Sequence, residues 1–136
     1  RAAHLMGLNE NVLAVVLFGS IVKGTANPES DIDLLIITLD KVDLTDNVYD
    51  VMVEVGAPIE ALVTTFRQFL LNLLDEPVML FGILEGYEVL YDKFNVVSGL
   101  IKLKNLEIKK RWFYDEEEGI WVEKRLMPYL KQRKTN

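Results

Sequence analysis

The fold is decided by residues 13–38, which read LAVVLFGSIVKGTANPESDIDLLIIT. The first six residues are apolar and rich in β-formers, and Gly19-Ser20 end the run, so a buried strand is predicted over residues 13–18. The following ten residues contain glycine, asparagine, proline and serine, which break regular structure. A second strand is predicted over residues 31–38, polar at its start and apolar afterwards. The segment therefore predicts two strands joined by a polar loop.

Strands and helices alternate in the rest of the chain. Thr45 or Asp46 is expected to cap a helix that Gly56 and Pro58 end. The pattern then predicts a strand at 59–64, helices at 66–74 and 78–85, a strand at 87–91, a helix from 94 to about 114 and a helical turn at 115–118. We interpret residues 1–136 as one α/β domain, a small mixed sheet with helices mainly on one face, in which residues 94–136 form a C-terminal helical, basic extension.

The composition narrows the chemistry that the chain can perform. Its 136 residues contain no cysteine and one histidine, His4. These counts exclude disulfides and thiolate chemistry, and they argue against a Ser-His-Asp triad. Any catalysis is expected from carboxylates, hydroxyls, lysines or a metal held by oxygen ligands. No apolar run approaches the roughly 20 residues that cross a bilayer, and no signal-peptide pattern is present, so we expect a cytoplasmic protein without a membrane partner.

Charge is distributed unevenly along the chain. Residues 1–100 hold 5 Lys/Arg against 15 Asp/Glu, whereas residues 101–136 hold 10 against 6. An acidic body with a basic tail is not typical of a duplex-DNA-binding protein, which is usually basic overall. The tail also carries several aromatic side chains. They are open to two interpretations, a contact surface for a partner or packing of the last helix onto the sheet. The aromatic residues concerned are Trp112, Phe113, Tyr114 and Trp121.

Asp31 and Asp33 are the strongest candidates for a metal site. Side chains two apart in a strand point to the same side, so the two carboxylates lie next to each other and repel unless a cation sits between them. Mg²⁺ prefers oxygen ligands and is usually completed by substrate phosphates. Gly19 permits a close backbone approach, Ser20 can donate a hydrogen bond to a phosphate, and Lys23 can add a positive charge. Taken singly, each feature also fits an ordinary turn or a solvated surface.

The order of these features resembles a known family. Residues 18–35, from Phe18-Gly19-Ser20 to Ser30-Asp31-Ile32-Asp33-Leu34-Leu35, are similar to the signature of the DNA polymerase beta-type nucleotidyltransferases. They are most similar to its smallest branch, the minimal nucleotidyltransferase domains. Residues 85–91 are similar to the Glu-Gly-x-x-Leu-Tyr stretch that often closes these domains. The resemblance implies the nucleotidyltransferase fold, like that of the polymerase beta palm.

The resemblance also implies a third carboxylate on the strand after the intervening helix. That strand is residues 59–64, and its only acidic residue is Glu60. The family more usually has aspartate there, so Glu60 departs from the pattern by one methylene group. Glu54 is the competing residue, but it falls on the preceding helix. In the alternative interpretation, Glu60 is a carboxylate on an edge strand that faces water.

What the resemblance implies about activity is a two-metal nucleotidyl transfer. Asp31, Asp33 and Glu60 would be the catalytic residues and would hold two Mg²⁺ ions, with Mn²⁺ as a substitute. A nucleoside monophosphate, AMP from ATP as the expected case, would pass to a hydroxyl acceptor. The nucleotide-binding residues implied in the same way are Gly19, Ser20, Lys23 and Ser30.

Partners are implied only by the resemblance. It points to a small helical protein of the HEPN type, the toxin of a pair in which this chain is the antitoxin. The alternative is a module that keeps the fold, has little or no catalysis, and acts by binding a partner protein. Nucleic-acid binding through the basic tail is a third, weaker hypothesis. The sequence does not determine the acceptor, the base of the nucleotide, or whether the chain forms a homo-oligomer.

Overall fold

A computed structural model describes residues 6–19, 22, 24, 31–75 and 86–129. The chain divides into two compact units, Arg1–Ser98 and Gly99–Asn136. We call them the sheet unit and the hairpin unit, and each is described by itself. None of the helices in the described ranges is long and apolar enough to cross a membrane.

The sheet unit contains a four-stranded mixed sheet. Its strands are β1 (Val12–Phe18), β2 (Ile32–Thr38), β3 (Ile59–Thr65) and β4 (Tyr87–Asp92). Their order is β3-β2-β1-β4. β1 is antiparallel to both neighbours, and β2 is parallel to β3. The helix that parallel pairing requires between β2 and β3 is α1 (Thr45–Val55). The predicted mixed sheet is confirmed.

One face of the sheet and α1 share a hydrophobic core. Alternate side chains of β2 and β3 contribute to it, because successive residues of a strand point to opposite faces. α1 contributes residues at the spacing of one helical face, as its sequence predicts. The principal residues of this core are Met6, Val12, Val15, Ile32, Leu34, Ile36, Leu44, Val48, Val51, Met52, Ile59 and Ala61.

The start of α1 differs from the expectation that Thr45 or Asp46 caps it. The capping position is Leu44, which makes no side-chain cap bond. Asp43 stabilises the helix start instead, because its Oδ1 accepts hydrogen bonds from the Thr45 N–H at 2.9 Å and the Thr45 hydroxyl at 2.6 Å. These two bonds lower the pKa of Asp43. The helix ends as expected at Gly56, which adopts the left-handed conformation with φ of 75°.

Two further helices follow the sheet strands. α2 (Phe66–Asp75) comes directly after β3 and contacts β2 and β3, close to its predicted bounds. α3 (Val97–Arg111) begins in the sheet unit and continues into the hairpin unit. The Asp92 carboxylate accepts the backbone N–H groups of Val97 and Ser98, which satisfies the first turn of α3. The helix predicted over residues 78–85 lies outside the described residues.

The helix expected over residues 94 to about 114 is shorter in the structure. α3 ends at Arg111, and a hairpin of β5 (Trp112–Asp115) and β6 (Ile120–Glu123) replaces its last turn. The helical turn expected at residues 115–118 is present only as the turn of this hairpin, in which the Gly119 N–H donates to the Asp115 carbonyl at 2.7 Å, and no helix begins there. A run of β-forming aromatic residues starts the first strand, and Asp115 Oδ1 accepts the N–H groups of Glu117 and Glu118 across the turn. A short 3₁₀ helix, Lys124–Leu126, follows β6.

Candidate functional site

The side chain of Asp33 points to the face of the sheet opposite α1. Its neighbours Ile32 and Leu34 both pack in the core that the sheet shares with α1. Because side chains alternate along a strand, Asp33 lies on the other face, where it is half-buried. The start of β2 therefore exposes one carboxylate away from the main core.

Glu60 lies beside Asp33 in the sheet. The two residues are paired across the parallel strands β2 and β3, and neighbouring strands lie about 4.8 Å apart. Glu60 is flanked by Ile59 and Ala61, which belong to the α1 core, so its side chain also points to the opposite face. The structure thus brings Glu60 and Asp33 to adjacent positions on one face, and Glu60 is exposed.

Glu54, the competing candidate, lies elsewhere. It is on α1, whose residues Val51 and Met52 pack on the face of the sheet that Ile32 and Leu34 occupy. Its carboxylate is therefore on the far side of the sheet from Asp33. This placement removes Glu54 as a member of a site built around Asp33.

Gly19 makes the closest approach to Asp33. It follows β1 with a φ of 84°, a conformation that residues with a Cβ rarely adopt. A Cβ atom at position 19 would lie 3.0 Å from Asp33 Cγ and would overlap with its Oδ2 outright. The carboxylate therefore lies over the backbone of Gly19. Glycine is required at this position both by the backbone angle and by the space.

Asp31 precedes β2 and is exposed. It is two residues from Asp33, which favours the same side of the strand. The next residue, Ile32, donates its N–H to the Pro58 carbonyl at 3.0 Å, so the backbone after Asp31 is held to the start of β3. Ser20, Lys23 and Ser30 lie outside the described residues.

No group of three or more histidine, aspartate or glutamate side chains that could hold a metal ion occurs among residues 6–19, 22, 24, 31–75 and 86–129. Asp31, Asp33 and Glu60 do not form such a group, and their role as metal ligands stays a prediction from the sequence. The residues still fit Mg²⁺ in a simpler way, since Mg²⁺ is commonly bound through one or two carboxylates together with substrate phosphates. Asp33 also leans over Gly19, where the predicted phosphate-binding loop starts.

Two aromatic residues lie on the same face and are not among the residues expected from the sequence. Phe18 is paired with Asp33 across β1 and β2, and Tyr87 is paired with Phe18 across β1 and β4. Leu17 packs in the α1 core, so Phe18 points the other way, and both rings are half-buried. The face therefore carries a row of Glu60, Asp33, Phe18 and Tyr87. The alternation of side chains along β1 could have predicted the face of Phe18 from the sequence. The position of Tyr87 beside it could not be predicted in this way, because it depends on the pairing of β1 with β4.

Comparison with known proteins agrees with this geometry. The model of the family "Polymerase beta, Nucleotidyltransferase" matches residues 3–95. The chain belongs to this family. The resemblance seen in residues 18–35 is confirmed, and the matched range covers the sheet unit almost completely. The chemistry that the family's name gives is nucleotidyl transfer.

One curated relative and two solved structures are also similar to this chain. "Putative protein adenylyltransferase MJ1305" of Methanocaldococcus jannaschii is 30% identical over 119 residues, which cover 80% of each chain. A crystal structure of a toxin–antitoxin pair with AMP-PNP matches with a TM-score of 0.56 and 17% identity, over 79% of this chain and 82% of that one. A mutant of the toxin–antitoxin pair MntA-HpeT matches with a TM-score of 0.53 and 17% identity, over 79% and 81%. The two structures confirm the predicted fold.

Proposed function

We propose that this chain transfers AMP from ATP to a hydroxyl group of a partner protein. The observation that carries the proposal is the position of the Asp33 carboxylate over Gly19 and beside Glu60. The choice of adenylyl transfer to a protein is supported by the relative that is 30% identical over 80% of each chain, since its name gives that activity.

The proposal assigns a task to each candidate site residue. Asp31 and Asp33 hold Mg²⁺, and the backbone at Gly19 receives the β- and γ-phosphates. Ser20, Lys23 and Ser30 remain sequence predictions for the same phosphates. When bound, Mg²⁺ offsets the charge of the phosphates and favours ionisation of the acceptor hydroxyl.

The transfer itself is an in-line displacement at the α-phosphate. The acceptor oxygen forms a bond to the α-phosphorus, and the bond from that phosphorus to the bridging oxygen of the β-phosphate breaks. Pyrophosphate leaves on the side of Gly19 and takes the bonding electron pair with it. The hydroxyl proton goes to Glu60 or to water. Glu60 is assigned this task by its register beside Asp33, on the side away from Gly19.

A helical HEPN-type protein is the proposed partner, in a pair where this chain acts as antitoxin. The family resemblance suggests it, and the toxin–antitoxin setting of the two solved structures makes this class the first to test. The experiment incubates both purified proteins with ATP labelled at the α-phosphate and Mg²⁺ or Mn²⁺. Labelling of the partner supports the proposal, and an unlabelled partner in the presence of a folded, ATP-binding chain contradicts it.

The second candidate is a module that neutralises a partner by binding alone. The observation that favours it is an apolar groove of about 440 Å³ within the hairpin unit, with Ile120 50% and Tyr129 67% exposed. Trp112, Trp121 and Leu126 also line this groove. Aromatic residues of this kind are enriched at interface cores. Neutralisation that survives replacement of both Asp31 and Asp33 by asparagine would favour this candidate.

A further inference from the structure

We propose that the free edge of β3 binds an extended segment of the acceptor protein as an added β-strand, which places the acceptor hydroxyl beside Glu60. The inference rests on the proposed transfer function and names how its substrate is recognised. β3 is at the end of the sheet order, and in the described part of the chain it pairs only with β2.

The backbone of β3 shows which groups face this edge. The carbonyl of Pro58 accepts the N–H of Ile32, and the carbonyl of Thr64 accepts the hydroxyl of Thr38, so these even-numbered positions turn toward β2. Backbone groups alternate in direction along a strand. The N–H and C=O groups of Ala61 and Val63 therefore point outward, where a further strand can pair with them.

Residues 59–65 of β3 themselves lack three of the usual protections against strand addition. Edge strands are commonly blocked by proline, lysine or a bulge. β3 contains neither proline nor lysine over its seven residues, and its pairing with β2 runs without a register shift. By contrast, β4 at the other end of the sheet carries an irregularity in its pairing with β1, between Val15 and Val16. Strand addition at a free edge of this kind is a common mode of peptide recognition.

The position of the edge suits the direction of the transfer. Across the sheet, Gly19 follows β1, Asp33 is on β2, Glu60 is on β3, and the added strand would come next. The leaving pyrophosphate is assigned to Gly19, so the acceptor must approach the α-phosphate from the opposite side, which is the side of Glu60. A strand beside β3 would lie about 4.8 Å beyond it. The opposite edge, at β4, lies on the side of the leaving group.

The negative charge of the sheet unit indicates which segments of the partner can bind at the edge of β3. Residues 1–98 hold 15 Asp/Glu against 5 Lys/Arg, and Glu60 is exposed at this edge. A segment with Lys or Arg beside its hydroxyl residue would be attracted to this acidic unit, whereas an acidic segment would be repelled. The inferred substrate is therefore an extended, basic, hydroxyl-bearing stretch of the partner.

The test compares Val63→Pro with Val63→Ala. Val63 is 38% exposed, and its N–H points away from β2, so proline removes an outward donor without removing a bond to β2. The substrates are the purified HEPN-type protein and ATP labelled at the α-phosphate. We expect Val63→Pro to lower kcat/KM for the partner by about 10-fold, the upper value of one lost hydrogen bond, and Val63→Ala to stay within about 2-fold of the unaltered chain. Calorimetric binding of Mn²⁺-ATP should be the same for all three.

Hydrogen exchange gives a direct readout of strand addition. The amides of Ala61 and Val63 should exchange at least about 10-fold more slowly when the HEPN-type protein is added to the unaltered chain. Equal transfer by Val63→Pro and the unaltered chain, or unchanged exchange at both amides despite transfer, overturns the inference and leaves the proposed function standing. If the unaltered chain binds Mn²⁺-ATP and labels nothing, the proposed function and this inference both fail.

Discussion

The carboxylate of Asp33 occupies the space over Gly19 that a side chain at position 19 would fill. Two consequences follow from this single relationship. Gly19, directly after β1, controls where the carboxylate near the start of β2 can go, and that carboxylate lies over the backbone at position 19. A change at position 19 should therefore affect catalysis through Asp33.

Replacement of Gly19 by alanine tests this dependence. The new Cβ would displace Asp33, and a displacement of about 1 Å at a reacting centre can cost roughly 100-fold in rate. We expect kcat for AMP transfer to fall by at least about 100-fold. Gly56→Ala is the matched control, because its φ of 75° imposes similar backbone strain with nothing within 4 Å of the new Cβ. Both variants should lose about 1–2 kcal/mol of stability, and only Gly19→Ala should lose activity.

The aspartates are expected to be essential for the reaction. Asp31→Asn or Asp33→Asn removes a negative oxygen ligand while leaving size unchanged. Transfer should fall by about 100- to 1,000-fold in either variant, and Mn²⁺ binding measured by electron paramagnetic resonance should weaken. Asp40→Asn, after the opposite end of β2, is the control and should behave as the unaltered chain. Full activity in either site variant would remove the metal assignment.

The proposed role of Glu60 is tested by comparing Glu60→Gln with Glu54→Gln. If Glu60 accepts the hydroxyl proton, Glu60→Gln should lower kcat by about 10- to 100-fold with little change in the KM for ATP. Glu54→Gln, on the helix at the other face of the sheet, should leave kcat unchanged. Glu60→Asp keeps a carboxylate that is one methylene group shorter and should retain more activity than Glu60→Gln. Equal rates for Glu54→Gln and Glu60→Gln would show that the position beside Asp33 has no catalytic task.

The contribution of the core between α1 and the sheet to stability can be measured with a valine-to-alanine substitution at two positions. Val51 is 4% exposed and packs in that core, whereas Val53 on the same helix is 66% exposed. Val51→Ala should lower the free energy of unfolding by about 2 kcal/mol through lost burial and the cavity left behind. Val53→Ala should change it by less than about 0.5 kcal/mol, with alanine's helix propensity favouring the variant. Urea denaturation provides both values.

Asp43 should give the stability a defined dependence on pH. The two hydrogen bonds from Thr45 lower its pKa in the folded chain below the unfolded value of about 3.9. The charged form is therefore favoured by folding, so its contribution is complete above about pH 4 and is lost as the pH falls through the folded pKa. The difference in unfolding free energy between the unaltered chain and Asp43→Ala should shrink below about pH 4. A difference that grows in acid would contradict this sign.

Much of the sheet unit could be predicted because its signals are local. The apolar run ending at Phe18, the spacing in α1 and the glycine at position 56 each specify structure through nearby residues. The face on which Asp33 lies follows from the same alternation. The neighbours of Asp33 across the sheet could not be obtained in this way, because the register that aligns Glu60 depends on contacts distant in sequence.

The hairpin unit shows where local signals mislead. An acidic run usually favours the start of a helix, and residues 115–118 fit that pattern. Two neighbouring features outweigh it: three consecutive aromatic residues before the run, and Gly119, whose φ of 67° closes the turn. The carboxylate of Asp115 then bonds to the turn rather than to a helix. Weighing the aromatic residues and the glycine together would have favoured a hairpin.

The parallel pairing of β2 with β3 has a consequence for biosynthesis. Asp33 and Glu60 are separated by the whole of α1, so a nascent chain that has emerged only as far as the end of β2 contains one carboxylate without the other. The pair forms after the ribosome has released β3 and the crossover has closed. AMP transfer to the partner by stalled nascent chains of increasing length would therefore report the moment at which this part of the protein completes its folding.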